Sequence, residues 1–364
     1  MFLIRQAKAQ DLDALHALAK QTFFINLPPD RDLIGQKIEQ SKESFHRLAT
    51  GKTAAVGRGR GSSHGAGIRA LTGSTDLFLF VLEDVAGRGV IGTSQVVAQM
   101  GGEGHPRVFL RMGRMSRRSD TLKLSWEHDI VTLETDTSGP SEVGGLILNN
   151  AFRGHAEGLG KFLSSIRFHL IGLFRERFSA TVVAEMLGPI DKNGYNPFFE
   201  KFTRHYIPRS FAEVYRFSQT SKEFVTGLLP SGPIDISIMD PDVAHAAGAV
   251  GPDTEPARRM LEDLGFRFEG AIDPLDGGPH LSAQTSEISL VRETRRVSAV
   301  SPRAAGGERA IVSTLNAMGE FVAVQTRATI SGDTAGVLPE HAALLLPAPL
   351  AAGMTPTSAA SPKK

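Results

Sequence analysis

Apolar residues recur along this chain with two different periods, and the order of those periods predicts an α/β layout. FLIRQA opens as a short strand, and Leu12, Leu15, Leu18 and Ala19 then follow at helical spacing, with Asp11 placed to cap the first turn. After the Pro28-Pro29 break, a second helix is expected over 32–48. LFLFVLED and GVIGTSQVVAQM, separated by glycines at 87 and 89, read as a hairpin, and HDIVTLETD and EVGGLILN continue the strand pattern. A glycine-containing turn then feeds a long helix whose apolar face carries Phe162, Leu163, Ile166, Leu170, Leu173 and Phe174. ATVVAEML reads as a buried strand that stops at Gly188-Pro189. A strand, a long helix and a second buried strand in that order predict a βαβ crossover within a mixed sheet flanked by helices.

Further along, NPFFEKFTRHYI and EPARRMLEDLGFRFEG share one grammar of helix followed by strand, as expected of corresponding pieces of a tandem or partly duplicated unit. From about Val297 the composition turns to Ala, Gly, Ser and Pro, with AIVSTLN and EFVAVQTRATI as two strands of a small β module. The expected division is therefore a first α/β unit at 1–215 with a flexible inserted loop at 50–76, and a second, partial unit at 216–296. A β-rich module at 297–352 and a disordered tail at 353–364 complete it.

Composition narrows the chemistry. The 364 residues contain no cysteine, which removes disulfides, cysteine-ligated metals and a thiol nucleophile, and no metal site is expected. The first residues carry charge from Arg5 onward and no stretch of 18 apolar residues occurs, so a cytoplasmic protein without a membrane partner is expected. A net charge of +1 speaks against nucleic acid, and the arginines of 50–76 have no interleaved aromatics. A small-molecule partner is the expectation that remains.

The segment EVGGLILNNAFRGHAEGLGKF carries the most chemistry. It delivers Gly158, Leu159 and Gly160 to the first turn of a long helix, where backbone N–H groups and the positive end of the helix dipole can meet a pyrophosphate. The G-x-G-x-x-G spacing of a dinucleotide fold and the G-K-[ST] of a Walker loop are both absent. The other reading of these glycines is a tight strand-to-helix turn and nothing more. The stretch resembles the pyrophosphate loop of the acetyltransferase superfamily built on the GNAT fold, in which Arg or Gln precedes the first glycine by three residues. Here His155 holds that basic position, with Arg153 two residues earlier. In that fold the preceding strand, 143–148, would pair its backbone with the pantetheine arm.

IRQAKAQDLDALHALA, FVLED, SEVGGLIL, VVAEMLGPIDKNGYNPFFEKF, EPARRMLEDLGFRF and IDPLDGGPHL narrow the resemblance to the arginine N-succinyltransferase family, in the right order over most of 1–296. The resemblance implies a GNAT-like fold and succinyl-CoA as co-substrate, with no permanently bound cofactor. It places Leu146 at the acyl-CoA contact, names arginine as the amine, and implies association into homo- or hetero-oligomers. Two segments depart from the family. Its glycine-rich stretch before L-T-S-L-P appears here as TFFINLPPD, and its proton-donor histidine is replaced by Gly251. Three readings stay open: the arginine reaction, the same chemistry on ornithine or another small amine, and a non-catalytic acyl-CoA-binding member.

An amine attacking a thioester must first lose a proton, and the departing thiolate must gain one. Glu185, in an apolar segment, is the expected base, with burial raising its pKa; its other reading is a buried partner for an arginine or a backbone group. Tyr195 is either the donor to the thiolate or a packing residue. His245 is the histidine nearest Gly251, and otherwise an exposed helix residue. Asp191 and Asp276 are candidates for a guanidinium fork, although Asp276-Gly277-Gly278-Pro279 could equally be a turn and nothing more. Lys161, Arg167 and His169 follow the glycine turn; one of them is expected to reach a CoA phosphate unless all three form a solvated helix face.

Overall fold

The computed structural model describes residues 1–21, 27–52, 75–87, 89–101, 106–218, 221–303, 306–345 and 349–357. Strands β1 (Phe2–Gln6), β2 (Leu77–Asp84), β3 (Gly89–Val97), β4 (Arg107–Ser119), β5 (Leu124–Asp136), β6 (Ser141–Leu148) and β7 (Thr181–Glu185) come first. They are followed by β8 (Ile234–Asp235), β9 (Arg267–Ile272), β10 (Pro279–Gln284), β11 (Arg295–Val297) and β12 (Ala299–Pro302). The last four are β13 (Glu308–Leu315), β14 (Phe321–Ser331), β15 (Thr334–Val337) and β16 (Ala351–Pro356). All belong to one mixed sheet in which β14 pairs with β1, then β1-β2-β3-β6-β7-β10-β9-β4-β5-β8 follow in order. The C-terminal strands therefore continue the same sheet, through Leu3 opposite Val324.

Helix α1 (Leu12–Ala19) and the start of α2 (Arg31–Thr50) cover one face of this sheet and α3 (Leu159–Leu173) the other. The end of α2 runs along the edge of β2, where Ser41 and Ser44 accept from the Leu79 and Leu77 amides and Phe45 joins the core under α3. The run LFLFVL in β2 is apolar at every position because both faces are buried. Leu77, Leu79 and Val81 meet Leu15, Ile34 and Ile38, while Phe78, Phe80 and Leu82 join the core that holds Phe162, Leu163 and Ile166. Burial of a leucine, isoleucine or phenylalanine side chain is worth about 1.5–3 kcal/mol, so these two layers fix the sheet between its helices. Asp30 caps α2 by accepting from the Asp32 and Leu33 amides, and Gly51 closes it in the left-handed region at φ 68°.

Several expectations need correction. Asp11 does not cap α1; its carboxylate accepts from the Lys8 amide at 2.7 Å and pairs with Arg5. No strand follows the NPFFEKFTRHYI block, because Phe211–Ser218, α4, is helical. The tail expected to be disordered forms β16 as far as Pro356, paired with β13 and β11 on its two sides; its small residues fit a tightly packed position between neighbouring strands. β4 went unrecognised since its outer half, GRMSRRS, is polar on both faces and is held by β5 alone. The inserted-loop residues 53–74, residues 22–26 of the TFFINLPPD departure and the tail beyond 357 lie outside the described residues. Among the described residues no helix is long and apolar enough to cross a membrane.

Candidate active site

β6 and β7 run parallel, yet they pair only at Ser141 with Val182 and Glu142 with Val183. Beyond that point β6 keeps β3 as a partner on one side, while the backbone of 143–148 has no partner from β7 on the other. A bulge sharpens the divergence: Thr93 opposes Ile147 and Gln95 opposes Gly144, so Gly145 and Leu146 together face Ser94. Gly145 takes φ 59°, which an L side chain adopts only under strain. The bulge also sends Ile147 to the α1/α2 face and leaves Leu146 and Leu148 against the core under α3.

The strand exits into a short 3-10 turn capped by Asn149, then reaches Gly158, which caps α3 at φ 63°. The first intrahelical bond runs from the Phe162 amide to the Gly158 carbonyl, so the amides of residues 159, 160 and 161 precede the helical ladder. Backbone conformation explains Gly158. Packing does not explain Gly160, whose added Cβ would meet only Leu148 Cδ2 at 3.9 Å. A glycine with no tight neighbour at a helix N-terminus permits a ligand to approach the backbone closely.

The charged groups expected around this turn separate. Lys161 is exposed on the first turn of α3, and Arg153 is exposed and pairs with Asp253 at 3.2 Å. His155 lies edge-on to Phe2, and its Nδ1 accepts from the Glu157 amide at 3.2 Å. Arg167 and His169 do not reach a phosphate, because both are buried in the core. Arg167 donates to the carbonyl and hydroxyl of Ser164, and burial lowers its pKa to about 9. His169 bonds the Thr355 and Ser313 hydroxyls, and burial lowers its pKa to about 3.

Glu185, at the end of β7, is a buried counter-ion. Arg107 Nε lies 3.2 Å from its carboxylate, Lys222 Nζ 3.6 Å and His280 Nδ1 3.9 Å. Burial alone would push its pKa up, as its apolar sequence context predicts, but Lys222, His280 and Arg107 outweigh that and hold it at about 2. A carboxylate so acidic is a poor base at neutral pH. Arg107 Nη2 also lies 2.6 Å from His280 Nδ1, and since a guanidinium only donates, the imidazole proton sits on Nε2. Burial lowers the His280 pKa to about 3, so at neutral pH Lys222 and Arg107 balance Glu185. Glu185, Asp273 and His280 place ligand atoms within 4.8 Å of one another, but a dication there would have to compete with both resident cations. A further buried cation, Lys37 of α2, donates to Gln95 Oε1 at 3.2 Å; burial lowers its pKa to about 8 against the opposing pull of Glu142.

Asp276 and Asp191 both shape turns. Asp276 is fully buried, accepts from the Gly278 amide at 2.7 Å and is pushed well above the usual carboxylate range by burial and by Asp273. Asp191 is exposed and accepts from the Tyr195 and Asn193 amides, which hold its pKa down. These bonds set up the loop that displays Tyr195, 43% exposed. Asn196, buried next to it, donates to the carbonyls of Pro189 and Asp276, tying the two blocks together. Gly188 is needed there because a Cβ would fall 2.1 Å from the Asp276 carbonyl oxygen. His245 is exposed on α6 (Pro241–Ala246), the second short helix after α4, α5 being Glu223–Leu228. Gly251 lies against the segment leaving β7: a Cβ there would sit 3.8 Å from Pro189 Cα and 3.9 Å from Ile190 N, ordinary contacts.

Arg107, Lys222, His280, Lys37 and Asn196 escaped the sequence reading. The one available signal was a charged or amide residue within an otherwise apolar or turn context, and it does not reveal a partner.

Comparison with known proteins matches residues 2–56 and 62–290 to the family described as arginine N-succinyltransferase beta subunit. An arginine N-succinyltransferase from Yersinia enterocolitica is 32% identical over 298 residues, covering 81% of this chain and 79% of the relative. One from Photorhabdus laumondii is 32% identical over 301 residues, covering 82% and 80%. The solved structure of arginine/ornithine succinyltransferase subunit AI from Pseudomonas aeruginosa superposes with a TM-score of 0.78 at 24% identity, over 98% of both chains, and shares the fold.

Proposed function

Since the chain belongs to the arginine N-succinyltransferase family, we propose that it transfers the succinyl group of succinyl-CoA to the α-amino group of L-arginine. The observation that carries this reading is the divergence of β6 from β7 beside the Gly158–Gly160 turn. The unpartnered edge of 143–148 suits the amides and carbonyls of a pantetheine arm, and the amides of residues 159–161 suit the diphosphate. Leu146, at the bulge, lines the path of the thioester. No cofactor needs to stay bound, because succinyl-CoA enters as a co-substrate.

A substrate α-amino group has a pKa of about 8, so a useful fraction is neutral at cellular pH. Its nitrogen attacks the thioester carbonyl, the tetrahedral adduct collapses, and the CoA thiolate leaves and takes up a proton. Holding amine and thioester together supplies most of the acceleration. Glu185 acts as a fixed anion that anchors Arg107 and Lys222 at the end of β7. Tyr195, displayed by its Asp191-braced loop, is the hydroxyl offered to the departing thiolate. The reading places the protein in the cytoplasm, in arginine degradation. The matched family description and the P. aeruginosa protein both refer to subunits, which favours assembly with a further chain.

The test is release of free thiol from succinyl-CoA across a panel of amines. Arginine is expected to give the highest kcat/KM. Tight CoA binding without turnover of any amine would sink the enzymatic reading.

A further inference from the structure

We propose that Arg309, on strand β13, supplies the positive charge that binds the diphosphate of the acyl-CoA at the Gly158–Gly160 turn. The proposal rests on the acyl-CoA reading above and adds a residue from outside the segment matched by the family, which ends at 290. A diphosphate carries two negative charges, whereas a helix N-terminus offers the equivalent of roughly half a positive one. A full cation is needed close by. The turn's own side chains do not provide it in a fixed place: His155 uses Nδ1 as an acceptor for the Glu157 amide, Arg153 is drawn off to Asp253, and Lys161 has no contact that fixes its ammonium among the described residues.

Arg309 does reach the turn. Its Nη2 donates to the Glu157 carbonyl, the peptide group immediately before Gly158, and lies 3.6 Å from where a Cβ on Gly158 would be. The same carbonyl accepts from Gln325 Nε2 at 2.8 Å. No other bond engages the guanidinium among the described residues, and the residue is exposed, so most of its donors face solvent at the mouth of the turn. Its backbone is fixed: β13 is paired on both sides, by β14 and β16, and the Arg309 carbonyl accepts from the amide and hydroxyl of Thr357. A guanidinium held at one nitrogen, with its remaining fork open, is suited to bidentate phosphate binding. The cation that most loops of this kind would carry on themselves thus comes from a neighbouring strand.

The experiment compares the full-length enzyme with Arg309→Gln, which can still donate to the Glu157 carbonyl but carries no charge. KM is measured with succinyl-CoA and with the succinyl thioester of pantetheine, which lacks the diphosphate. The expected result is a rise of about tenfold in KM for succinyl-CoA, with kcat and the pantetheine-thioester KM unchanged. Adding His155→Arg to Arg309→Gln, which returns a guanidinium to the turn itself, should recover most of that loss. An equal rise for both thioesters would assign Arg309 a purely structural role and overturn the proposal, as would an unchanged succinyl-CoA KM or no recovery in the double variant. If the unmodified enzyme neither binds nor turns over succinyl-CoA, the acyl-CoA reading itself fails.

Discussion

Arg107 Nε and Glu185 Oε1 stand 3.2 Å apart with side chains only 7% and 1% exposed, so two residues distant in sequence form an ion pair in the sheet interior. Lys222 Nζ, 3.6 Å from the same carboxylate, still faces Glu185 when Arg107 is removed, but the buried acid then loses its hydrogen-bonded partner. Arg107→Met is expected to lower unfolding stability by about 1.5–3 kcal/mol, the range for a lost hydrogen bond to a charged group. Denaturant unfolding of both proteins checks this, and a loss under about 1 kcal/mol would mean the pair is not desolvated as its burial implies.

Acid should weaken the fold in two overlapping windows. Glu185 is held at about 2, below its ordinary 4.5, so the unfolded chain binds the extra proton and this group's contribution is present above 4.5 and lost as pH falls through 2. His169 and His280 are both lowered to about 3 from 6.5 by burial, so folding is opposed progressively as pH falls from 6.5 towards 3. Stability is therefore expected to decline on acidification beginning below about pH 6.5. Unfolding midpoints across pH 3–8 give the curve, and a flat profile would contradict these environments. Because Glu185 stays ionised throughout the range of activity, the pH–rate profile should show no limb that disappears in Glu185→Gln.

Gly158 and Gly160 should respond differently to substitution. Gly158→Ala forces a left-handed residue and is expected to cost about 1–2 kcal/mol of stability. At Gly160 an added Cβ makes only an ordinary contact with Leu148, so Gly160→Val should change stability little while KM for succinyl-CoA rises by about tenfold as the side chain covers the amides. An unchanged KM would reduce this glycine to a turn residue.

Gly251→His tests the departure from the family. The neighbouring backbone of Pro189 and Ile190 leaves room for a Cβ, and the position does not take a positive φ. Placing an acid there is expected to raise kcat by about tenfold with little change in KM. Stopped-flow thiol release would detect it. No increase would indicate that thiolate protonation is already supplied elsewhere.

Asn196 should matter more than its surroundings suggest. It is buried and satisfies two carbonyls and the Phe199 amide, so Asn196→Ala is expected to cost about 2–4 kcal/mol and to loosen the loop bearing Tyr195. Thermal melts and KM measurements on the same variant separate the two effects.

The elements of the proposed acyl-CoA site are legible in the sequence because their signals are local. The apolar run of β2, the helical face of α3 and the glycines at 158 and 160 declare themselves within a few residues. The electrostatics are not legible, for a definite reason. Glu185 stands out as an acid among apolar neighbours, but the direction of its pKa depends on Arg107, Lys222 and His280, which only the strand order β7-β10-β9-β4 and the helix α5 bring near it. Arg309 looks like a surface charge until β13 is placed beside the turn. The outer half of β4 escaped because a ribbon exposed on both faces needs no apolar alternation.

The pairing of β1 between β2 and β14 has a consequence for biosynthesis. Leu3 leaves the ribosome early, but its partner Val324 is made only after nearly all of the other strands. Until then the first strand has one neighbour and one bare edge, open to pairing with another nascent chain. Refolding of this protein should therefore be slow and sensitive to concentration, and the turn at 158–160 gains its contacts from Arg309 and Gln325 only once β13 and β14 are made.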